Sequence, residues 1–470
     1  MSFALAFIAC ATGTAGLFYL DRDKSQRISW ALWLPVFWLL IIGSRPVSAW
    51  IGIWTGTEVA GAATGQLESQ LDGSPVDAAV FFLLLIGGIF VLARRKKQVV
   101  QLLQASVPIL LFFCYTVSSV LWSKYPEAAF KRWTKDVGEL AMVLIIVTEF
   151  DPVVALRRIF SRVGFILLPA SVLLIRYSDI GRGYDPDGHP MNTGVTTNKN
   201  TLGLITFFIA LGAVWGLLHA LRDKGDINRR RHLITRAVLL AFAVTVLYMA
   251  HSATSVACFG LGTVLILATI SPIFKRRPSR LHGLVFTILL SGVVLIFFGG
   301  ESLVIGALGR DSTLTGRTDI WNAVIPMCPN PLIGAGFESF WNSYGGSIEG
   351  LSRYQQGINS AHNGYIEVYL NLGWVGIVLI SIVVIDAYRR SIAAFRRSPE
   401  IAGLMLAYVA TAAIYSITEA GFRILTPTWI SVMLATMAGT VYASGRVGSR
   451  VKKSMPLAVA YNPPVFSPEK

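Results

Sequence analysis

The feature that most constrains this chain is a recurring apolar run, long enough to cross a bilayer and broken by short polar segments. Such runs occupy 2–20, 28–43, 76–93, 103–122, 137–150, 159–176, 201–221, 234–251, 253–271, 282–299, 371–387, 401–418 and 427–443. A backbone in lipid has to satisfy its own hydrogen bonds, so helices must do the spanning, at roughly 17–25 apolar residues per crossing. The alternating segments of roughly ten residues that mark a membrane barrel are absent. The sequence therefore predicts an all-α polytopic membrane protein with about 12–13 transmembrane helices. Composition agrees, because a chain of 470 residues that is 54% hydrophobic and only 14% charged has too little polar surface for a soluble domain.

A net charge of +15 would suit a nucleic-acid ligand, but the placement of the charges argues against one. Of the 41 basic residues, 29 fall in one alternating set of segments, from Arg22, Lys24 and Arg27 through Arg94–Lys97, Arg157, Arg158, Arg162, Arg229–Arg231 and Arg236 to the C-terminal tail. Positive charge is enriched on the cytoplasmic side of membrane proteins, so this set is expected inside. Lys124, Lys131, Arg132 and Lys135 are a local exception on the other side. No Lys or Arg precedes the run at 2–20, so it reads as a first membrane helix and not as a signal peptide. Cys10, Cys114 and Cys258 lie inside apolar runs and Cys328 in a loop, which offers neither a disulfide framework nor metal spacing. Residues 1–454 read as a single transmembrane domain, and the polar tail at 455–470 is expected to be disordered.

The spans are almost free of acids, whereas a coupled transporter carries ionisable residues near mid-membrane. Polar residues gather in the outer loops instead, above all in the largest, 300–364. There Gly316 is expected to break the chain, with Thr318 or Asp319 capping a short helix over 319–326 whose apolar face holds Ile320, Trp321, Val324 and Ile325. A second helix is expected to begin near Ser360 and to continue through Gly373. Three clusters carry candidate chemistry. In Asn198-Lys199-Asn200-Thr201-Leu202-Gly203 a polar loop enters a helix, where free N–H groups and a Lys bind phosphate; an ordinary capped entrance reads as well. In Gly316-Arg317-Thr318-Asp319, Arg317 at a helix start offers a planar fork to phosphate oxygens or to a neighbouring carboxylate. In Ala361-His362-Asn363-Gly364-Tyr365, a His in the first turn of a helix is held neutral by the dipole, as a general base requires, or is simply structural. Tyr365 and Tyr369 share its helical face, where they stack a sugar or pack.

Taken in order, Asn-Lys-Asn-x-Leu-Gly at 198–203, Gly-Arg-Thr-Asp-Ile-Trp at 316–321, Pro-Leu-Ile-Gly-Ala-Gly-Phe at 331–337, Ala-His-Asn-Gly-Tyr at 361–365 and Leu-Gly-Trp-Val-Gly at 372–376 resemble the O-antigen ligase and O-antigen polymerase superfamily, which includes bacterial exopolysaccharide polymerases. The matching motifs run from about 194 to 376. Family ligases usually have about twelve spans, one fewer than the runs counted here, and the extra one would be N-terminal. The resemblance implies a glycosyltransferase of the bacterial inner membrane that takes a polyprenyl-pyrophosphate-linked oligosaccharide at the periplasmic face, without nucleotide sugar. It implies catalytic roles for Arg317, as pyrophosphate-binding residue, and His362, as activator of the acceptor. It marks Lys199, Asn200, Asn363 and Tyr365 as substrate-binding, with Arg176 and Arg182 as candidates for a further basic residue. No metal or other cofactor is expected; Asp185, Asp187 and Glu338 are the acids held in reserve. The expected partners are the lipid-linked glycan, a glycan acceptor, the bilayer and polysaccharide export or chain-length proteins. A polymerase leads; a ligase joining glycan to a lipid core, and a lipid-oligosaccharide transporter without catalysis, are the alternatives.

Overall fold

The computed structural model describes residues 2–23, 26, 28–57, 74–184, 188–294, 313–348 and 359–443. The tail at 455–470, Asp185 and Asp187 lie outside the described residues. The chain is helical almost throughout. It opens with α1 (Phe3–Leu20), then α2 (Trp33–Ile42), which meets α3 (Val47–Thr55) at a 64° bend. After α4 (Pro75–Arg94) comes a second bent pair, α5 (Lys96–Gln104) and α6 (Val107–Ser118), at 89°. Next are α7 (Pro126–Val147), α8 (Pro152–Tyr177), the strands β1 (Arg182–Tyr184) and β2 (Pro190–Asn192), α9 (Lys199–Arg222) and α10 (Arg229–Ala250). They are followed by α11 (Ala253–Ile270), α12 (Pro272–Arg276), α13 (Ser279–Val294), α14 (Thr313–Val324), α15 (Phe340–Ile348), α16 (Gly364–Phe395), α17 (Pro399–Thr418) and α18 (Pro427–Ala443).

Among the described residues, 8 helices are long and apolar enough to cross a membrane, or up to 10 if each bent pair makes one span. The other predicted runs also fall on helices. α7 carries Glu127, Lys131, Arg132, Lys135, Asp136 and Glu139 along its length, while α13 and α18 have 16 and 17 residues as described. The bends have local causes. Pro46 follows Arg45 between α2 and α3, and Pro108 opens α6, each removing a backbone donor where a straight helix would need one.

α9, α17 and α18 are deeply enclosed helices. α9 packs on α8 and α10, α17 on α11 and α16, and α18 closes against α16. Aromatic rings fill the centre, where Phe208 and Tyr408 stack and the Tyr408 hydroxyl donates to the Phe208 carbonyl at 2.9 Å. α9 and α17 run antiparallel in close register. At one end the Trp215 Nε1–H donates to the Glu400 carbonyl at 3.0 Å; at the other, Asn200 meets Glu419. The first end collects Arg222, Arg229 and Arg396, and the second collects the loop motifs. Buried Arg45 ties the second end together, donating to the carbonyls of Gly194 at 3.0 Å and Ile180 at 2.7 Å.

Candidate active site

The site begins with two glycines. α16 is broken at Gly373, whose φ of 63° and ψ of −163° only glycine adopts comfortably. The opened turn exposes backbone groups that the 331–337 segment takes up. The Ala335 and Gly336 N–H groups donate to the carbonyls of Leu370 at 3.0 Å and Asn371 at 2.8 Å, and the Trp374 N–H donates to Pro331 at 2.9 Å. A Cβ on Gly373 would collide with the Leu332 carbonyl carbon, and one on Gly334 with that of Asn371. Two motifs that looked separate in sequence are thus one backbone junction. It anchors α14, whose buried Ile320 and Val324 pack with Phe340, Trp341, Ala361 and Leu370 in a small core of their own. The Trp321 Nε1–H donates to the Ala361 carbonyl at 2.8 Å, which fixes α14 directly beside His362.

On that scaffold three candidate residues converge on one carboxylate that sequence reasoning did not single out. Glu419, buried in the turn after α17, accepts from Arg317 Nη2 at 2.9 Å and from Asn200 Nδ2 at 2.8 Å on Oε1. Its Oε2 faces His362 Nδ1 at 3.3 Å. Arg317 Nη1 also donates to the Thr418 carbonyl. Burial pushes the Glu419 carboxyl up, but the Arg317 guanidinium and the His362 imidazole outweigh it and hold the group below the usual range. Glu419 is therefore ionised at neutral pH. A carboxylate at Nδ1 accepts a hydrogen bond from the imidazole N–H on that side, leaving the Nε2 lone pair to accept a proton. The His362 side chain is 39% exposed, and Nδ1 is the ring nitrogen it turns to Glu419. Arg317 has five N–H donors and uses two of them here.

Two expectations need correction. The helix expected over 319–326 is α14, which starts at Thr313 and runs through Gly316, so Arg317 lies in its second turn and does not open it. The residues of α14 continue the helical chain ahead of Gly316, and one glycine costs a helix only about 1 kcal/mol. His362 is not in the first turn either. It precedes the cap residue Asn363 with a φ of 47°, and α16 starts at Gly364. The side chain of Asn363 accepts from the N–H groups of Tyr365 and Ile366 at 3.0 and 3.1 Å and donates to the Ile417 carbonyl at 2.9 Å. Asn363 thereby sets the turn that aims His362 at Glu419.

The remaining candidates divide. Lys199 opens α9 beside Asn200, whose N–H is capped by Asn198 Oδ1 at 2.7 Å. The Tyr365 ring packs edge-on against Phe422 and its hydroxyl donates to the Ala413 carbonyl at 3.2 Å, so it supports the α16–α17 contact. Arg176 is exposed at the end of α8, and Arg182 pairs with Asp179 at 3.2 Å on the surface. Among the described residues neither touches the Glu419 cluster. Glu338, held in reserve as an acid, is buried in an ion pair with Arg423 at 2.9 Å, and its carbonyl accepts from Arg132. Arg132 also donates to Asn342 Oδ1 at 2.9 Å. Glu419 and Arg423 were legible as an acid and a base four residues apart in a short loop between two apolar spans, on the side where charge is scarce. Arg132 was visible only as a breach of the positive-inside pattern.

Residues 237–381 match the model of a family described as O-Antigen ligase, a segment that holds Arg317 and His362 but ends before Glu419. The exopolysaccharide production protein ExoQ of Rhizobium meliloti (strain 1021) is 26% identical over 289 residues, 59% of this chain. The aligned region spans 62% of that relative's length. With its all-helical, multi-pass architecture, the chain is a membrane protein similar to the O-antigen ligase/polymerase-like superfamily.

Proposed function

We propose that this protein is a glycosyltransferase that polymerises lipid-linked repeat units of an exported polysaccharide at the periplasmic face of the inner membrane. The donor is an oligosaccharide carried on polyprenyl pyrophosphate. An acceptor hydroxyl attacks the anomeric carbon, the carbon–oxygen bond to the pyrophosphate breaks with its electron pair, and the hydroxyl proton passes to His362 Nε2. Arg317 presents its unused N–H groups to the departing diphosphate, with Lys199 alongside. A well-placed donor in a site shielded from water lowers such a barrier by about 3–4 kcal/mol. The positive-inside pattern supports a Glu419 end turned away from the cytoplasm.

The observation that carries this reading is the convergence of Arg317, His362 and Asn200 on Glu419 from three distant parts of the chain. A diphosphate-binding cation and an oriented imidazole with a free nitrogen, side by side at the membrane surface, suit this displacement. The similarity to an exopolysaccharide production protein favours polymerase over ligase.

The test is to supply purified protein in proteoliposomes with a polyprenyl-pyrophosphate-linked oligosaccharide. Longer lipid-linked glycans are expected; a single capped acceptor would indicate a ligase, and unaltered substrate would overturn the catalytic reading. Arg317→Ala and His362→Ala are expected to abolish product while the protein still inserts into membrane. Arg317→Lys is also expected to be harmful, because a point charge does not replace a bidentate fork.

A further inference from the structure

At the opposite end of the bundle lies a second concentration of charge that the proposed reaction does not use. Arg157, Arg158 and Arg162 project from the first turns of α8 and Arg236 from α10. Nineteen residues of α8 separate Arg157 from Arg176, which at about 1.5 Å per residue puts this cluster roughly 30 Å from the Glu419 end. One carboxylate serves its centre: Asp21 takes Arg158 at 3.0 Å and Arg236 at 2.9 Å. Arg236 also reaches Ser161 Oγ. Arg162 stacks over the Trp33 ring at 4.3 Å.

Two other acids in range are engaged elsewhere. Asp151 caps α8 through the N–H groups of Val153 and Val154, and Asp226 accepts from His232 Nδ1 at 2.7 Å. Three buried donor atoms are left over: Arg157 Nε, Arg162 Nη1 and the hydroxyl of Tyr442 on α18, none with a hydrogen-bond partner among the described residues. Tyr442 is only 6% exposed and lies within electrostatic range of Arg157. Asp21 is one carboxylate for two arginines, so the buried unpaired groups of Arg157, Arg162 and Tyr442 are donors beyond what it serves, and such donors are stabilised by an anion placed among them.

We infer that this arginine cluster is a binding site for a phosphate-bearing anion, with Arg157 and Arg162 as its open donors. Guanidinium forks match phosphate oxygens two at a time, and basic pockets between membrane helices take the head groups of anionic lipids. The same chemistry would hold a soluble phosphate arriving from the aqueous phase. The inference is independent of the reaction proposed for the Glu419 end.

The experiment uses the full chain in detergent, titrated separately with dioleoylphosphatidylglycerol and dioleoylphosphatidylcholine and read by native mass spectrometry. In parallel, lipid-free protein is heated with inorganic phosphate or with chloride at equal ionic strength. Phosphatidylglycerol adducts are expected at a concentration about ten-fold lower than phosphatidylcholine adducts. That preference is expected to vanish in an Arg157→Gln/Arg162→Gln double variant and to survive in an Arg276→Gln/Arg277→Gln control. Thermal protection by inorganic phosphate without lipid preference, lost in the double variant, would identify a soluble phosphate as the ligand. Equal binding of the two lipids with no effect of phosphate overturns the inference, as does a preference that outlives both substitutions. Among the described residues neither Arg157 nor Arg162 holds an ion pair, so the double variant is expected to fold; if it does not, the two arms on the unaltered protein decide.

Discussion

Replacing Glu419 by glutamine isolates the electrostatics of the candidate site from its shape. The amide has the volume of the carboxylate but one acceptor oxygen where there were two. Placed on the Oε1 side it still receives Arg317 and Asn200, now at 2.9 and 2.8 Å from a neutral group. Its NH2 then faces His362 Nδ1, where the carboxylate oxygen lay at 3.3 Å. Two donors cannot share that contact, so the imidazole moves its proton to Nε2 and offers Nδ1 as acceptor. Nε2, the other ring nitrogen, then cannot take a proton. In a buried catalytic triad the same exchange of carboxylate for amide costs about 10⁴ in kcat. His362 is 39% exposed, so water partly substitutes, and a loss of about 10²–10³ is expected, equivalent to roughly 3–4 kcal/mol in the barrier. The assay is single-turnover glycan extension in proteoliposomes, with kcat separated from KM, beside nitrogen NMR of the imidazole tautomer. The expected result is a fall in kcat with little change in KM and a histidine protonated on Nε2. Activity within about three-fold of the unaltered protein, well short of one decade or about 1.4 kcal/mol, would refute the reasoning.

Three further outcomes follow from the same geometry. Gly373→Ala is expected to destabilise the protein by about 3 kcal/mol or more, because its φ of 63° and the Leu332 backbone leave no room for a methyl group; thermal unfolding in detergent reads the loss. Glu419 is held below the ordinary glutamate value of about 4.3, so its stabilising effect is complete above that value and is lost as pH falls through the lower one. The stability gap between the unaltered protein and Glu419→Gln is therefore expected to be present at neutral pH and to close below about pH 4, as measured by melting temperature against pH. Glu338→Ala removes the carboxylate that pairs with the Arg423 side chain, only 4% exposed, and the loss is expected to cost about 3–5 kcal/mol in the same melting assay.

The fold was largely legible, because lipid imposes a period and a length that few helices escape; the runs at 201–221 and 401–418 reappear almost unchanged as α9 and α17. What failed was local. Sequence signals for helix starts depend on a single turn, and Gly316 was given more weight than the helical residues on either side of it could bear. His362 was placed inside the helix, because Ser360 reads as well as Asn363 as a cap, and it is Asn363 that takes that position by bonding Tyr365 and Ile366. The candidate residues themselves were found, since Arg317, His362 and Asn200 belong to types whose chemistry shows in one dimension. Glu419 was not. A carboxylate at the end of a span reads as an interfacial charge until the chain is folded, and its three partners lie 219, 102 and 57 residues away. Only the antiparallel pairing of α9 with α17, set by apolar packing along their whole length, brings the two polar ends into hydrogen-bond range. The residue that orders the site is therefore specified by the membrane-spanning core and not by the loops that carry the recognisable motifs.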